Sequence, residues 1–291
     1  MAGSNVHTAV VYHSPCNDGY ATYRVFNKVM PGVTGVPVRA GAPCEEITIP
    51  VGTSIVWVVD TNLSEDMVQA WRAQGVKFIN WLDHHKGNVP KDGAWPSSVA
   101  TEVRRCEPDG PSAVIMACKE LHLEPGPFRC LISEYDTHQF EHYTKEQCQA
   151  VYLYLRGAAD SLWALCEAMC HEELYELIGR CIGEFHVFKR QATAIPVVMV
   201  RWLGELAVVA RVDDWMLVNP FVDRARVVAP DAAYVLTYSD KAGGVRRWSV
   251  RSGSQPTGNC HTKCAELGGG GHAEAAGFQT SHEQAAGLTD L

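Results

Sequence analysis

The sequence predicts an α/β protein: a domain built on a parallel sheet, a helical stretch, and a second, smaller α/β domain. Three observations carry this. In the first half, apolar β-branched runs alternate with helix-like stretches, the order that builds a parallel sheet with crossover helices. From about residue 145 to 195 the pattern turns helical and stops at Pro196. The remainder returns to strand-like runs and closes on a glycine-rich segment.

Taken in order, "TAVVYH" (8–13), "SIVWVVD" (54–60) and "VKFINWLD" (76–83) are nearly continuous apolar runs, as expected of strands covered on both faces. Between the second and third lies "LSEDMVQAWRAQG" (63–75), which reads as a helix. Ser64 is its N-cap, Met67, Val68 and Trp71 mark its apolar face, and Gly75 stops it. "PSAVIMACKEL" (111–121) is another helix, begun by Pro111 or Ser112. The later strands are "IPVVMVRWL", "LAVVARV", "AAYVLTYS" and "VRRWSVRSG".

With 46% hydrophobic and 20% charged residues over 291 positions, the chain has the make-up of a globular protein with a sizeable core. No run approaches the ~18 apolar residues of a membrane span, so no membrane partner is expected. The opening "MAGSNVHTAVVYH" lacks the features of a secretory signal, and a cytoplasmic or organellar interior is the expectation. Eleven scattered cysteines favour free thiols in a reducing compartment. "CHTKC" (Cys260 to Cys264) and the Cys166/Cys170 pair offer sulfurs without a clean second pair for structural zinc. All but one of the cysteines are therefore expected to be buried structural residues. A net charge of −8 argues against a protein that coats long nucleic acid, but not against a short anionic substrate held locally.

Each of the first three strands ends in groups that bind metals: His13 followed by Cys16 and Asp18, then Asp60, then Asp83-His84-His85. A fourth candidate, Asp136 in "LISEYDTHQF", follows another apolar segment and is read as a further strand-end cluster. In open α/β sheets, sites form beyond the carboxyl ends of the strands, so these residues can converge. A single strand-end aspartate is more often a turn residue, but turns do not call for His and Asp together each time. Mixed carboxylate and imidazole suit Mn²⁺, Mg²⁺ or Zn²⁺.

"YHSPCNDGYAT", "VVDTNLS", "LDHHKG" and "EYDTHQF" resemble the four motifs of the DHH phosphoesterases, in order. "WSVRSG" followed by "LGGGGHAEAAGF" resembles the DHHA1 domain of one subfamily, which includes oligoribonucleases that also dephosphorylate a nucleoside bisphosphate, RecJ-type exonucleases and cyclic-dinucleotide phosphodiesterases. The resemblance covers nearly the whole chain. It implies a DHH metal-binding domain over 1–165, a helical linker over 166–195 and a DHHA1 substrate-binding domain over 196–291, with the active site in the cleft between the domains. It also implies two divalent cations, usually Mn²⁺, with Mg²⁺, Zn²⁺ or Co²⁺ as alternatives. His13 and Asp60 would hold the first. Asp18, Asp60, His84 and Asp136 would hold the second, with Asp60 bridging. Asp83 would orient an imidazole, and His85 would face the substrate phosphate.

Cys16 departs from the family, many of whose members place a carboxylate there. It either packs or ligates as a thiolate, a soft group that fits Mn²⁺ or Mg²⁺ poorly, and this puts the first site in question. The run Gly268 to Gly271 reads either as a flexible linker or as backbone arranged for close approach to an anion. The resemblance implies the second, with Gly269, Gly270, Gly271 and His272 contacting substrate together with Arg251, whose guanidinium suits phosphate oxygens. Strand alternation sends Arg247 and Arg251 to one face and Arg246 to the other. Trp248 is expected to pack rather than stack on a base, and "VYLYL" and the Trp163/Met169 region to be helical core or interdomain packing.

The expected activity is metal-dependent hydrolysis of phosphodiester or phosphomonoester bonds by an activated water, with no serine or cysteine nucleophile. The expected partner is a short single-stranded oligonucleotide or a nucleotide, and a homodimer is compatible with the chain. Two readings compete: a pyrophosphatase or polyphosphatase, and a DHH-like binding protein without catalysis.

Overall fold

The computed structural model describes residues 7–39, 42–85, 104–106, 110–156, 158–271 and 273–286. His272 lies outside them. Two compact units divide the chain, residues 1–182 and 183–291.

The first unit holds a five-stranded sheet of β1 (His7–His13), β2 (Thr34–Val38), β3 (Thr53–Val59), β4 (Phe78–Asp83) and β5 (Arg104–Cys106). Their order is β2-β1-β3-β4-β5, with every neighbouring pair parallel. Continuous apolar runs are what such a sheet needs, because both faces are covered. On one face Ala9, Val11, Val56, Val58, Ile79 and Trp81 pack against Met67, Val68 and Trp71 of α2 (Glu65–Ala73). Ser64 caps that helix, its Oγ accepting from Met67 N at 3.2 Å, and Gly75 follows it at φ 92°. α1 (Asn17–Val29) packs against α3 (Ala113–Glu120), and Phe26 of α1 meets Trp57 of β3 at 4.7 Å between ring centroids.

The helical stretch resolves into α4 (Gly126–Thr137), α5 (Lys145–Leu155), α6 (Asp160–Ala168) and α7 (His171–Ala192). Asp136 therefore lies in the last turn of a helix and not at a strand end. The apolar positions Phe128, Leu131, Ile132 and Tyr135 recur at helical spacing, and a proline at the start of the segment is compatible with a first turn. An apolar stretch read without its period had hidden this.

The second unit carries a six-stranded mixed sheet in the order β10-β11-β9-β8-β7-β6. Its strands are β6 (Val198–Trp202), β7 (Glu205–Arg211), β8 (Tyr234–Lys241), β9 (Val245–Ser252), β10 (Gly270–Gly271) and β11 (Ala275–Ser281). α8 (Val218–Val228) bridges the parallel pair β7 and β8 and buries Phe221, Val222 and Ala225 on one face. On the other face Trp202, Tyr234, Leu236, Trp248 and Phe278 pack with Cys260 and Cys264 of α9 (Cys260–Ala265). α10 (His282–Ala286) follows the last strand.

Trp248 is 3% exposed, stacks on Phe278 and donates its Nε1–H to Thr280 Oγ1 at 3.0 Å, which is a packing role. The ten cysteines with described side chains are free thiols. Cys170 is exposed and Cys44 and Cys130 are half-buried, which corrects the expectation that all but one are buried. Cys170 precedes the first turn of α7, where its side chain has no core to enter. Among the described residues no helix is long and apolar enough to cross a membrane.

Candidate metal centre

The strand order places β1 between β2 and β3, so the connections leaving β1 and β3 run to opposite sides. A crevice opens at the carboxyl ends of that pair, and His13 and Asp60 stand there, at the end of β1 and immediately after β3. Asp60 is held at φ 55°, the left-handed region that aspartate tolerates better than most residues. Its backbone N–H donates to Leu82 O at 3.0 Å, which locks the turn to β4. Gly19, the third residue of α1, lets that helix approach: a Cβ there would lie 2.4 Å from His13 O and 3.1 Å from Asp60 Oδ2.

Around Asp60 the predicted ligands gather. His13 Nδ1 lies 3.5 Å from Asp60 Oδ2. His84 Nε2 lies 3.4 Å from Asp60 Oδ1, 2.9 Å from Asp136 Oδ2 and 4.0 Å from Asp18 Oδ2. Three sets of donor atoms lie within 4.8 Å of one another: His13, Cys16 and Asp60; Asp18, Asp60, His84 and Asp136; and Asp60, His84 and His85. Asp60 belongs to every set. Residues separated by more than a hundred positions thus share one small volume, whereas Arg251, Gly269, Gly270 and Gly271 belong to the second unit.

The supports differ from residue to residue. Asp18 faces the N-terminus of α3, accepting from Ser112 Oγ (2.8 Å), Ala113 N (2.8 Å) and Val114 N (3.1 Å). It does for α3 what a capping side chain would, and the positive end of the helix favours its charge. Asp83 is fully buried and accepts through Oδ1 from the backbone N–H of His84 (2.9 Å) and of His85 (3.3 Å). The same oxygen is 2.6 Å from His85 Nδ1 and fixes that ring. Glu134, two residues before Asp136, is buried and accepts from His142 N (3.0 Å) and Tyr143 N (2.9 Å), pinning the end of α4 to the segment that leads into α5.

The electrostatics are those of acidic groups crowded in a buried space around two imidazoles. Burial raises the pKa of Asp18 and of Cys16, and the charges of Asp60 and Asp136 push both further up, while Ser112 works the other way on Asp18. Burial also opposes ionisation of Asp60, but contacts with His13 and His84 outweigh it and hold that carboxyl below the usual range. Burial would lower His84, yet Asp136 and Asp60 raise it to about 11. His85 is raised to about 9 because Asp83 outweighs its burial. Both Asp60 oxygens and His84 Nε2 are buried without a well-aligned hydrogen bond. Buried polar atoms without partners are costly. Oxygen and imidazole donors converging in this way, several of them without well-aligned hydrogen bonds, fit divalent cations that His13, Asp18, Asp60, His84 and Asp136 would hold.

Reading the sequence missed Tyr152. It was assigned to helical core or interdomain packing, but its hydroxyl donates to Cys16 Sγ at 3.8 Å, and Asn17 N donates to that hydroxyl at 3.4 Å. Nothing local marks a tyrosine 136 positions from its partner. Gly19 had a faint signal, a glycine inside a helical segment directly after a candidate ligand.

In the second unit Arg251 lies on β9 opposite Val235 and Ala275, and its Nη1 donates to Ser249 Oγ at 2.7 Å. The glycine run is ordered backbone. Gly270 and Gly271 pair with β11, and a Cβ at Gly269 would sit 2.1 Å from Gly277 O. The Gly269 N–H donates to Cys264 O at 2.8 Å, closing the end of α9, so that glycine's demonstrable role is packing.

No protein-family model matches the chain, and no curated protein matches it. Solved structures do. Exonuclease RecJ from Thermus thermophilus, in complex with Mn²⁺, is 14% identical at TM-score 0.50, and the match covers 96% of this chain and 50% of that one. A manganese-bound exonuclease RecJ is 13% identical at TM-score 0.51, covering 97% and 88%. An exopolyphosphatase-related protein from Bacteroides fragilis is 12% identical at TM-score 0.50, covering 97% and 90%. At such identities the likeness is one of fold, and the fold is the two-part α/β architecture that the DHH/DHHA1 resemblance implied.

Proposed function

We propose that the chain is a metal-dependent phosphoesterase of the DHH type, hydrolysing phosphodiester or phosphomonoester bonds in short oligonucleotides or small nucleotides. The observation that carries this is the convergence of Asp18, Asp60, His84 and Asp136 within 4.8 Å, with Asp60 shared by the neighbouring set that contains His13. That four-residue set crowds three carboxyl groups around one imidazole, an excess of acid that a cation would balance. The fold likeness to manganese-bound RecJ adds support.

Divalent cations at these residues would supply the Lewis acidity that activates water and neutralises phosphoryl charge. The chain's own contribution is positional. Asp60, at the switch point, is the natural bridging group because its two oxygens face His13 and His84 separately. Asp83 grips His85 through Nδ1, so Nε2 is the atom that would meet a phosphate oxygen, donating a proton-bearing nitrogen to developing negative charge. In the second unit Arg251, Gly269, Gly270, Gly271 and His272 are the proposed substrate contacts, on the strength of the resemblance. Mn²⁺ is the expected ion and the interior of a cell the expected location.

The test is hydrolysis in Mn²⁺ of di- to pentaribonucleotides, a nucleoside 3′,5′-bisphosphate, a cyclic dinucleotide, pyrophosphate and tripolyphosphate. Asp60→Asn is the control, since asparagine keeps the left-handed backbone. Mononucleotide release from short RNA, abolished in the variant, establishes the reading. Cleavage of the inorganic chains alone, which the fold likeness to an exopolyphosphatase-related protein makes a real outcome, replaces the substrate but keeps the metal site. Failure to retain or respond to any divalent cation favours a binding protein.

A further inference from the structure

Resting on that reading, we propose that Cys16 is itself a ligand, so that His13, Cys16 and Asp60 form a sulfur-containing site that takes a thiophilic cation such as Zn²⁺ in preference to Mn²⁺, beside an oxygen- and nitrogen-only site of Asp18, Asp60, His84 and Asp136. The two sites would then hold different metals.

Two features argue for a cation at the sulfur: the spacing of the donor set and the buried, unsatisfied Asp60 Oδ2. His13, Cys16 and Asp60 offer one nitrogen, one sulfur and one oxygen, all within 4.8 Å of one another. The 3.5 Å between His13 Nδ1 and Asp60 Oδ2 is close to the separation of two ligands that each stand ~2.0–2.1 Å from one tetrahedral zinc. Asp60 is 1% exposed, and its Oδ2, on the His13 side, has no well-aligned hydrogen-bond donor. A buried carboxylate oxygen aimed at a thiol and an imidazole is the arrangement of a metal site and not of a packed core.

The surroundings of the sulfur agree. Cys16 precedes α1 as its N-cap residue but makes no side-chain capping bond. Without a metal its thiol instead donates to Asp136 Oδ1 (3.9 Å), through a proton that metal binding would displace, and its sulfur accepts from Tyr152 OH (3.8 Å). The Tyr152 hydroxyl, whose lone pair takes Asn17 N–H, points its proton at the sulfur. A donor aimed at sulfur supports a thiolate, as outer groups commonly do for metal ligands. Binding replaces the sulfur proton, which passes to solvent. Softness then sets the preference: a thiolate favours zinc or cobalt, while a site of carboxylates and one imidazole accepts manganese.

The experiment reads the metal and not the reaction. Metal-free protein is titrated with Co²⁺, and the near-ultraviolet spectrum is followed for a sulfur-to-cobalt charge-transfer band. The wild type is expected to show it, Cys16→Asp to bind cobalt without it, and Tyr152→Phe to shift it to lower energy. Competition calorimetry should show Cys16→Asp narrowing the preference for Zn²⁺ over Mn²⁺ by at least about tenfold, the scale at which ligand surroundings tune affinity. Cobalt bound to the wild type without the band overturns this inference and leaves the phosphoesterase reading standing. A band that persists in Cys16→Asp belongs to another cysteine and also overturns it. Absence of any metal binding overturns both.

Discussion

Gly19→Ala tests whether the approach of α1 to the metal centre is as tight as the geometry says. The added Cβ would lie 2.4 Å from His13 O and 3.1 Å from both His13 N and Asp60 Oδ2, against 3.4–4 Å for ordinary contact. The nearest atom is backbone of β1, which cannot rotate away, so helix and strand must part by about an ångström in an interior packed like a crystal. Overpacking of this kind costs about 1–3 kcal/mol. Alanine also has the better helix propensity, by about 1 kcal/mol, and this opposes the loss. Gly179→Ala is the matching control: it lies on α7 in the same unit, with nothing within 4 Å of its added Cβ. The propensity gain cancels between the two variants, and their difference in stability isolates the clash at about 1–3 kcal/mol. Urea unfolding in chelator gives that difference, provided m is unchanged. Mn²⁺ titration of the folded variants should show Gly19→Ala weaker by about tenfold or more, as for other changes beside ligands. Equal stability and equal Mn²⁺ affinity in the two variants would refute the claim that Gly19 positions His13 and Asp60.

Without a cation His84 keeps its proton up to about pH 11 and His85 to about 9, yet a cation takes neutral imidazole. Binding should release a proton near neutrality and strengthen by about tenfold per pH unit for each proton displaced, measured by calorimetry in buffers of different ionisation enthalpy; affinity flat in pH would contradict it. Both histidine pKa values are raised on folding, so the stability these groups give the metal-free protein is complete below their ordinary value of 6.5 and disappears as pH climbs through about 9 and then about 11. Unfolding curves in chelator from pH 6 to 10 check this. In the second unit, Gly269→Ala should lower stability because its Cβ meets Gly277 O at 2.1 Å, whereas Gly270→Ala, with nothing within 4 Å, should not. Equal tolerance of the two, by thermal unfolding, would mark the run as a linker.

The first sheet was legible because parallel strands buried on both faces leave uninterrupted apolar runs, and β1, β3 and β4 appear where those runs stand. α2 was legible from Ser64, Gly75 and the apolar face of Met67, Val68 and Trp71 between them. α1 and β2 were not, since α1 begins at a metal motif whose polar residues break the apolar pattern and β2 is short and half-exposed. The candidate donors His13, Asp60, Asp83, His84 and His85 stood out because each closes an apolar run, and Asp136 joins their cluster from the last turn of a helix where a strand end was expected. Tyr152, Ser112 and Glu134 act through contacts that fold geometry creates, and no spacing rule reaches them.

The donors around Asp60 run from His13 to Asp136. A growing chain, extended at roughly 5–20 residues per second, completes the set of His13, Cys16 and Asp60 first and the set that needs Asp136 only when α4 has been made. A cation at the four-residue set would thus arrive late and would not template the early steps of folding. Binding only the finished fold, it would act afterwards by mass action, adding stability in proportion to the logarithm of its free concentration. The supply of the ion, and not the sequence alone, would then set how long a newly synthesised molecule endures.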